Sequence, residues 1–180
     1  IWATVVGIVQ ILVTVGGLHL SGGFIRYVRE ETAFVDTLTL LLTSTVIVSV
    51  CFSVIGSLVA SRPFFPFPSE LVVPTSALIG IRILLHYLVN CPRARRRVKL
   101  HEALYALQLL AETAVLGVAL LVARQLVAGI WALVAVDLLA TAVLLAAFLP
   151  GELRWPNPAK FRTYLSYSIP MVPKELSQRV

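Results

Sequence analysis

Five long runs of apolar residues constrain the fold of this sequence more than any other feature. They cover about residues 1–20, 33–60, 70–90, 101–123 and 126–149. Each run holds roughly the 20 residues that a helix needs to cross a membrane. Charged residues make up 13% of the chain, whereas a soluble domain has about 25%. The sequence therefore predicts an all-α protein, a polytopic transmembrane helix bundle.

Lys and Arg residues are concentrated in alternate connectors between these runs. The connectors at 21–32, 91–100 and 150–162 hold ten of them, and the other two connectors hold one each, Arg62 and Arg124. Cytoplasmic loops of membrane proteins are enriched in Lys and Arg. We therefore predict a multi-pass protein of the cytoplasmic membrane with residue 1 outside and the three basic connectors in the cytoplasm. The net charge of +6 is explained by topology, and no nucleic-acid partner is predicted.

Three ionisable residues are predicted to lie at one depth near the membrane centre. Glu112 and Asp137 are each about twelve residues from the tight turn 123–125, or ~18 Å along their helices in a ~30 Å hydrocarbon core. Arg82 lies about twelve residues into the third run. Charged groups at this depth are costly and need a partner, a proton or a water-filled cavity. We predict a polar layer shared by three helices.

Two interpretations of this layer stay open. It is either a buried ion-pair network that holds the helices together, or the wall of a cavity. In the cavity, Arg82 would attract an anionic substrate, and Glu112 or Asp137 would bind a proton or Na⁺. His86 and Gln108 share the next level and are further coupling candidates. The layer belongs to two polar helix faces, which contain Thr75, Arg82, His86 and Asn90 on the third run and His101, Tyr105, Gln108 and Glu112 on the fourth.

Small hydroxyl residues form a stripe on the second run, where Thr45, Ser49, Ser53 and Ser57 recur every four residues. Small residues allow two helices to approach closely, so the stripe predicts tight helix packing. The alternative is that it lines a polar path.

The two cysteines, Cys51 and Cys91, do not suggest a disulfide, since one lies in a span and the other in a basic connector. No Cys and His spacing typical of a metal site is present in the sequence. The sequence predicts neither a metal nor a cofactor.

Three short stretches resemble a known family of membrane proteins. They are IWAT at 1–4, GLHL leading into FIRY at 17–27, and YLSYSIPMVP at 164–173. Together they resemble the polysaccharide-biosynthesis flippases of the O-antigen type, in the multidrug/oligosaccharidyl-lipid/polysaccharide exporter superfamily. The resemblance implies that the chain is a fragment. Residues 1–149 would be helices two to six of an N-terminal lobe, 150–160 a cytoplasmic inter-lobe linker, and 161–180 the start of a second lobe.

The resemblance implies a transporter and not an enzyme. It would export a polyprenyl-phosphate-linked glycan by alternating access, in contact with membrane lipids. Coupling to H⁺ or Na⁺ is a further hypothesis that rests only on the buried carboxylates. Arg26 and Arg82 would contact the phosphate end of the substrate, and Lys174 and Arg179 would face the cavity. One alternative is a drug/cation antiporter of the same superfamily, in which the carboxylates bind the substrate. Another is a membrane-embedded glycan transferase, which the short loops disfavour.

Overall fold

The computed structural model describes residues 2–28, 32–60, 67–148 and 155–179, and within these ranges it contains helices and turns but no strand. This confirms the predicted all-α class. The described helices are α1 (Trp2–Gly16), α2 (Leu20–Tyr27), α3 (Ala33–Ala60), α4 (Val72–Ala94), α5 (Val98–Ala123), α6 (Leu126–Phe148), α7 (Phe161–Ser168) and α8 (Val172–Arg179). Short 3₁₀ turns precede α4 and α7 and join α7 to α8, at Ser69–Leu71, Pro158–Lys160 and Ile169–Met171.

Five helical segments of the described chain are long and apolar enough to cross a membrane. They are Trp2–Tyr27, Ala33–Ala60, Ser69–Ala94, Val98–Ala123 and Leu126–Phe148. The protein is therefore a membrane-embedded helix bundle, as predicted. Residues 149–154, which include the first half of the predicted linker, lie outside the described ranges.

The first membrane-spanning segment is broken, which the sequence did not predict. The run 1–20 was expected to be one helix, but Leu18 and His19 have positive φ values of 48° and 51°. Residues with a side chain rarely adopt this left-handed conformation, and a right-handed helix cannot continue through it. The chain then forms α2, so most of the predicted connector 21–32 is helical up to Tyr27.

The connector between α4 and α5 is shorter than the predicted 91–100. α4 continues through Pro92 to Ala94, and α5 begins at Val98. Cys91 is fully buried, so continuing the helix keeps its side chain in the core. Proline at this point removes one backbone hydrogen bond near the helix end, a smaller loss than in the middle of a helix.

α4 is the central helix of the bundle. It packs against α1, α2, α3, α5 and α6, and most of its residues are buried. α5 has no buried residue and lies at the edge, in contact with α4 and α6. Polar side chains of α4 therefore face neighbouring helices instead of lipid.

The stripe of small residues on α3 packs against α4. Ser76 Oγ donates a hydrogen bond of 2.7 Å to the Ser49 carbonyl. A Cβ atom added at Gly80 would lie 2.7 Å from Ser49 Oγ and 3.3 Å from Thr45 Cγ2. The packing interpretation is thus confirmed for Thr45 and Ser49, whereas Ser57 is exposed and bonds within its own helix.

We expect Gly80→Val to destabilise the bundle by about 1–3 kcal/mol, because overpacking forces α3 and α4 apart. The matched control is Gly117→Val on α5, where an added Cβ has no neighbour within 4 Å. Thermal unfolding of the two variants in detergent, followed by tryptophan fluorescence, measures the difference. Equal melting temperatures would contradict the close approach of α3 and α4.

Candidate functional site

The predicted polar layer forms through Arg82 of α4. Its Nε donates to Asp137 Oδ2 of α6 at 3.0 Å, and its terminal nitrogen forms an ion pair with Glu112 Oε2 of α5. Gln108 Nε2 donates to the second oxygen of Glu112 at 2.6 Å. The contact predicted from matched depths is confirmed, and one guanidinium links three helices.

The layer is unequally accessible to water. The side chains of Arg82 and Glu112 are 23% and 16% exposed, whereas that of Asp137 is fully buried. The Oδ1 atom of Asp137 is buried and has no hydrogen-bond partner in the described part of the chain. A buried carboxylate oxygen without a donor is costly. It is therefore the atom of this layer best suited to take up a proton or a small cation.

The charges of this layer do not cancel. Two carboxylates share one guanidinium, so the three groups carry a net charge of −1 when all are ionised. Arg82 donates to these carboxylates through Nε and one terminal nitrogen, and an anion that approached the guanidinium would be repelled by both carboxylates. The layer is electrostatically suited to a cation more than to a phosphate.

A groove of about 470 Å³ leads to this layer. It lies between α1 and α5, with α4 as its floor, and it is lined by Val9, Gln10, Val13, Arg82, His86, Val89, Asn90, His101, Tyr105, Gln108, Leu109 and Glu112. Both predicted polar faces, with the exception of the buried Thr75, thus line one space, and Asp137 of α6 lies outside its lining. The groove extends from the ion layer to the ends of α4 and α5 that flank the basic turn at 95–97.

His86 and Gln108 lie in this groove between the ion layer and the basic turn. The His86 carbonyl accepts a hydrogen bond of 2.7 Å from Asn90 Nδ2. Nearer the turn, His101 Nδ1 lies 2.8 Å from the Val89 carbonyl. Polar groups therefore follow one another along the groove as far as the mid-span carboxylate of Glu112.

Arg26 and Lys174, the other predicted basic contacts, do not line this groove. The Arg26 guanidinium lies over the ring of Tyr167, 4.6 Å from its centroid, and 5.8 Å from that of Tyr27. Lys174 is exposed on α8. The side chain of Arg179 lies outside the described part of the structure, so its predicted role stays a prediction.

Arg26 differs electrostatically from Arg82. It is exposed, and it pairs with no carboxylate within the described ranges. Stacking on an aromatic ring holds a guanidinium in place while leaving its edge N–H groups free to donate. Within the described part of the chain, Arg26 is thus a cation held by aromatic rings, without a carboxylate partner.

Two features of functional interest were missed in the sequence. Asp36 on α3 is fully buried, and the pairing of Arg26 with Tyr167 joins residues that are distant in the chain. The only local signal for Asp36 was a lone acidic residue one turn after Thr32, whose hydroxyl donates to it at 2.7 Å. Nothing local indicated the Arg26 contact.

The described residues contain no group of three or more His, Cys, Asp or Glu side chains that could hold a metal ion. Cys51 and Cys91 are free thiols.

Comparison with known families gives one match, to the model of a family described as polysaccharide biosynthesis protein, over residues 2–179. The chain belongs to this polysaccharide biosynthesis family. The family resemblance of the three short stretches is thereby confirmed, and the chain is a membrane protein of polysaccharide biosynthesis. No curated protein and no solved structure matches it.

We expect Arg82→Met to destabilise this family member by about 3–5 kcal/mol, because it leaves two uncompensated carboxylates inside the bundle. The triple variant Arg82→Met, Glu112→Gln, Asp137→Asn should recover most of this loss, since no charge remains in the layer. Arg124→Met, at an exposed position in the α5–α6 turn, is the matched control. Thermal unfolding in detergent measures all three. An Arg82→Met variant as stable as the control would contradict a stabilising ion layer.

Proposed function

We propose that the chain is part of a flippase that exports a polyprenyl-phosphate-linked glycan across the cytoplasmic membrane by alternating access. The observation that carries the proposal is the polar groove of about 470 Å³, which reaches an ion layer halfway along the spanning helices. Transporters keep charged residues at this depth where they face a hydrated interior. Membership in a polysaccharide biosynthesis family indicates a glycan as the cargo.

The position of the carboxylates supports a transporter over an enzyme. A glycan transferase needs a carboxylate or histidine that reaches its lipid-linked substrate at the membrane surface, free to act as a base or nucleophile. Glu112 and Asp137 lie in mid-span and are both bound to Arg82. Carboxylates in this arrangement suit ion binding more than the role of a base or nucleophile in glycan transfer.

The charge distribution supports separate roles for the two arginines. Arg26 has no carboxylate partner among the described residues, and its N–H groups suit phosphate oxygens, which guanidinium groups bind in bidentate fashion. Arg82 is compensated by two carboxylates, so we assign it to the coupling layer and not to the phosphate. With the basic connectors in the cytoplasm, Arg26 would meet the headgroup where it enters. Lys174 would follow on the cavity side, and Arg179 stays a candidate there.

Glu112 and Asp137 would exchange a proton or Na⁺ through the groove. His86 and Gln108 line the route from the basic turn to these carboxylates. The unpartnered Oδ1 of Asp137 is the acceptor for this ion. Binding of a proton or Na⁺ neutralises the net charge of −1 in the layer. This changes the free energy of the closed conformation, in which water is excluded from the layer.

The drug/cation antiporter remains the second candidate function, because the same excess negative charge suits a cationic substrate. It would make Glu112 and Asp137 the substrate site and leave Arg26 without a role in binding. The flippase therefore predicts that replacing Arg26 weakens substrate binding, whereas the antiporter predicts no change in substrate binding.

We expect Arg26→Gln to weaken binding of a polyprenyl-diphosphate-linked oligosaccharide by about 10- to 100-fold, the equivalent of one charge-assisted hydrogen bond or two. The matched control is Arg124→Gln, an exposed arginine on the opposite, outer side in the proposed topology. Binding is measured with the full-length protein in nanodiscs and a fluorescent lipid-linked substrate. Unchanged affinity in Arg26→Gln, combined with binding of a lipophilic cation, would favour the antiporter.

We expect Glu112→Gln and Asp137→Asn to abolish the dependence of transport on an imposed H⁺ or Na⁺ gradient in proteoliposomes. The amides keep the side-chain shape but cannot carry the charge that the ion neutralises. Glu102→Gln, exposed on the same helix as Glu112 and outside the groove, is the control. Folded yield is measured separately by size-exclusion chromatography. Reduced yield with normal gradient-dependent transport per folded molecule would leave the layer only a structural role.

A further inference from the structure

The carboxylate of Asp36 joins three parts of the chain. Asp36 is fully buried in the first turn of α3. Its Oδ2 atom accepts hydrogen bonds from Thr32 Oγ1 at 2.7 Å and from Tyr164 Oη at 3.4 Å. Its Oδ1 atom accepts one from the backbone N–H of Asn157. The donors come from the start of α3, from the segment that precedes α7, and from α7 itself.

An aspartate suits this position for two physical reasons. A carboxylate accepts at both oxygens, so it can satisfy donors that approach from different directions. It also lies at the N-terminal end of a 28-residue helix, where the helix dipole favours negative charge. A buried carboxylate must be hydrogen-bonded to be tolerated. The same hydrogen bonds therefore hold its three donors in place.

Further contacts fix α7 along its whole length. Tyr164 is buried, and its ring packs edge-on against that of Tyr27 with 5.2 Å between centroids. At the end of α7, Ser168 is also buried. A Cβ atom added at Gly23 of α2 would lie only 2.7 Å from Ser168 Oγ. α7 is therefore seated directly against α2 and is tied to α3 through Asp36.

The contacts of the chain with the rest of the bundle change immediately after Ser168. The chain passes through the 3₁₀ turn Ile169–Met171 before α8 begins. Pro170 and Pro173 lack the N–H that would bond to the carbonyl four residues earlier, so the helical hydrogen-bond ladder is interrupted there. Ile169 is half exposed, and beyond the turn α8 contacts α1.

We propose that Asp36 is a positioning residue that makes α7 part of the first helix bundle, and that the turn Ile169–Met171 is the pivot about which the following chain moves during transport. This inference rests on the proposed flippase function. The segment 155–168 then moves with α2 and α3 as one body. The described part of the Pro-rich linker, 155–160, is then not the hinge.

The first test is a disulfide between α2 and α7, in the full-length Gly23→Cys, Ser168→Cys variant with Cys51→Ser to remove the exposed native thiol. The two positions are close enough for a disulfide. We expect it to form under mild oxidation and to leave the transport rate unchanged. Transport that stops on oxidation and returns on reduction would overturn the proposal, and so would failure of the bond to form.

The second test measures whether Asp36 holds α7. The distance between α3 and α7 is measured by double electron–electron resonance. The spin labels are placed at two exposed positions, Leu42→Cys on α3 and Ser166→Cys on α7. We expect Asp36→Ala to broaden the distance distribution and Thr39→Ala to leave it unchanged, because Thr39 bonds only within α3. If Asp36→Ala does not fold, Tyr164→Phe, which removes one donor, should broaden it less. An unchanged distribution in the folded variants overturns the role of Asp36.

The third test locates the pivot with matched proline substitutions. We expect Pro170→Ala to lower the transport rate, because it restores a backbone N–H and stiffens the turn, and to leave substrate affinity unchanged. Pro158→Ala, in the segment that Asp36 anchors, should transport at the wild-type rate. Equal rates, or a slower Pro158→Ala variant, would overturn the pivot.

Wild-type protein that binds but does not transport refutes the flippase function, whereas the spin-label distances still decide the role of Asp36.

Discussion

One guanidinium shared by two carboxylates, halfway along the spanning helices, is the interaction on which the arrangement of this bundle depends. Arg82 of α4 binds Glu112 of α5 and Asp137 of α6. None of these charges is tolerable alone in a hydrocarbon environment. α4, α5 and α6 must therefore assemble with one particular rotation each. The layer thus helps to specify the packing of these three helices.

The same interaction also determines what the groove beside it can bind. Because the layer has one more negative than positive charge, it attracts a cation or a proton. Polar side chains of α4 and α5 line the groove from the basic turn to this layer. The cationic group suited to a phosphate, Arg26, lies elsewhere and is held by aromatic rings. The proposed ion-binding and anion-recognition groups are thus separated in space, so each can be varied without the other.

Coupling between two separate sites requires a rigid connection that can transmit movement. α2 carries Arg26 and is packed against α7, which Asp36 ties to α3. α4 contacts both α2 and α3 and carries Arg82. The two arginines therefore belong to one packed body. Movement of the chain beyond Ser168 would change the surroundings of Arg26 first, since Tyr167, the ring on which it stacks, lies next to that point.

The sequence by itself determined the number of spanning helices, the family, and the common depth of Arg82, Glu112 and Asp137. Apolar length and a fixed rise per residue are local properties, and they suffice for the number of spans and the common depth. The family came from the resemblance of three short stretches. Only the tertiary structure decided that Arg82 pairs with two carboxylates while Arg26 stacks on Tyr167, that the first span breaks at Leu18 and His19, and that Asp36 accepts a hydrogen bond from Tyr164 of α7. Each of these depends on which side chains meet across distant segments, and periodicity along one helix does not fix its rotation relative to a neighbour.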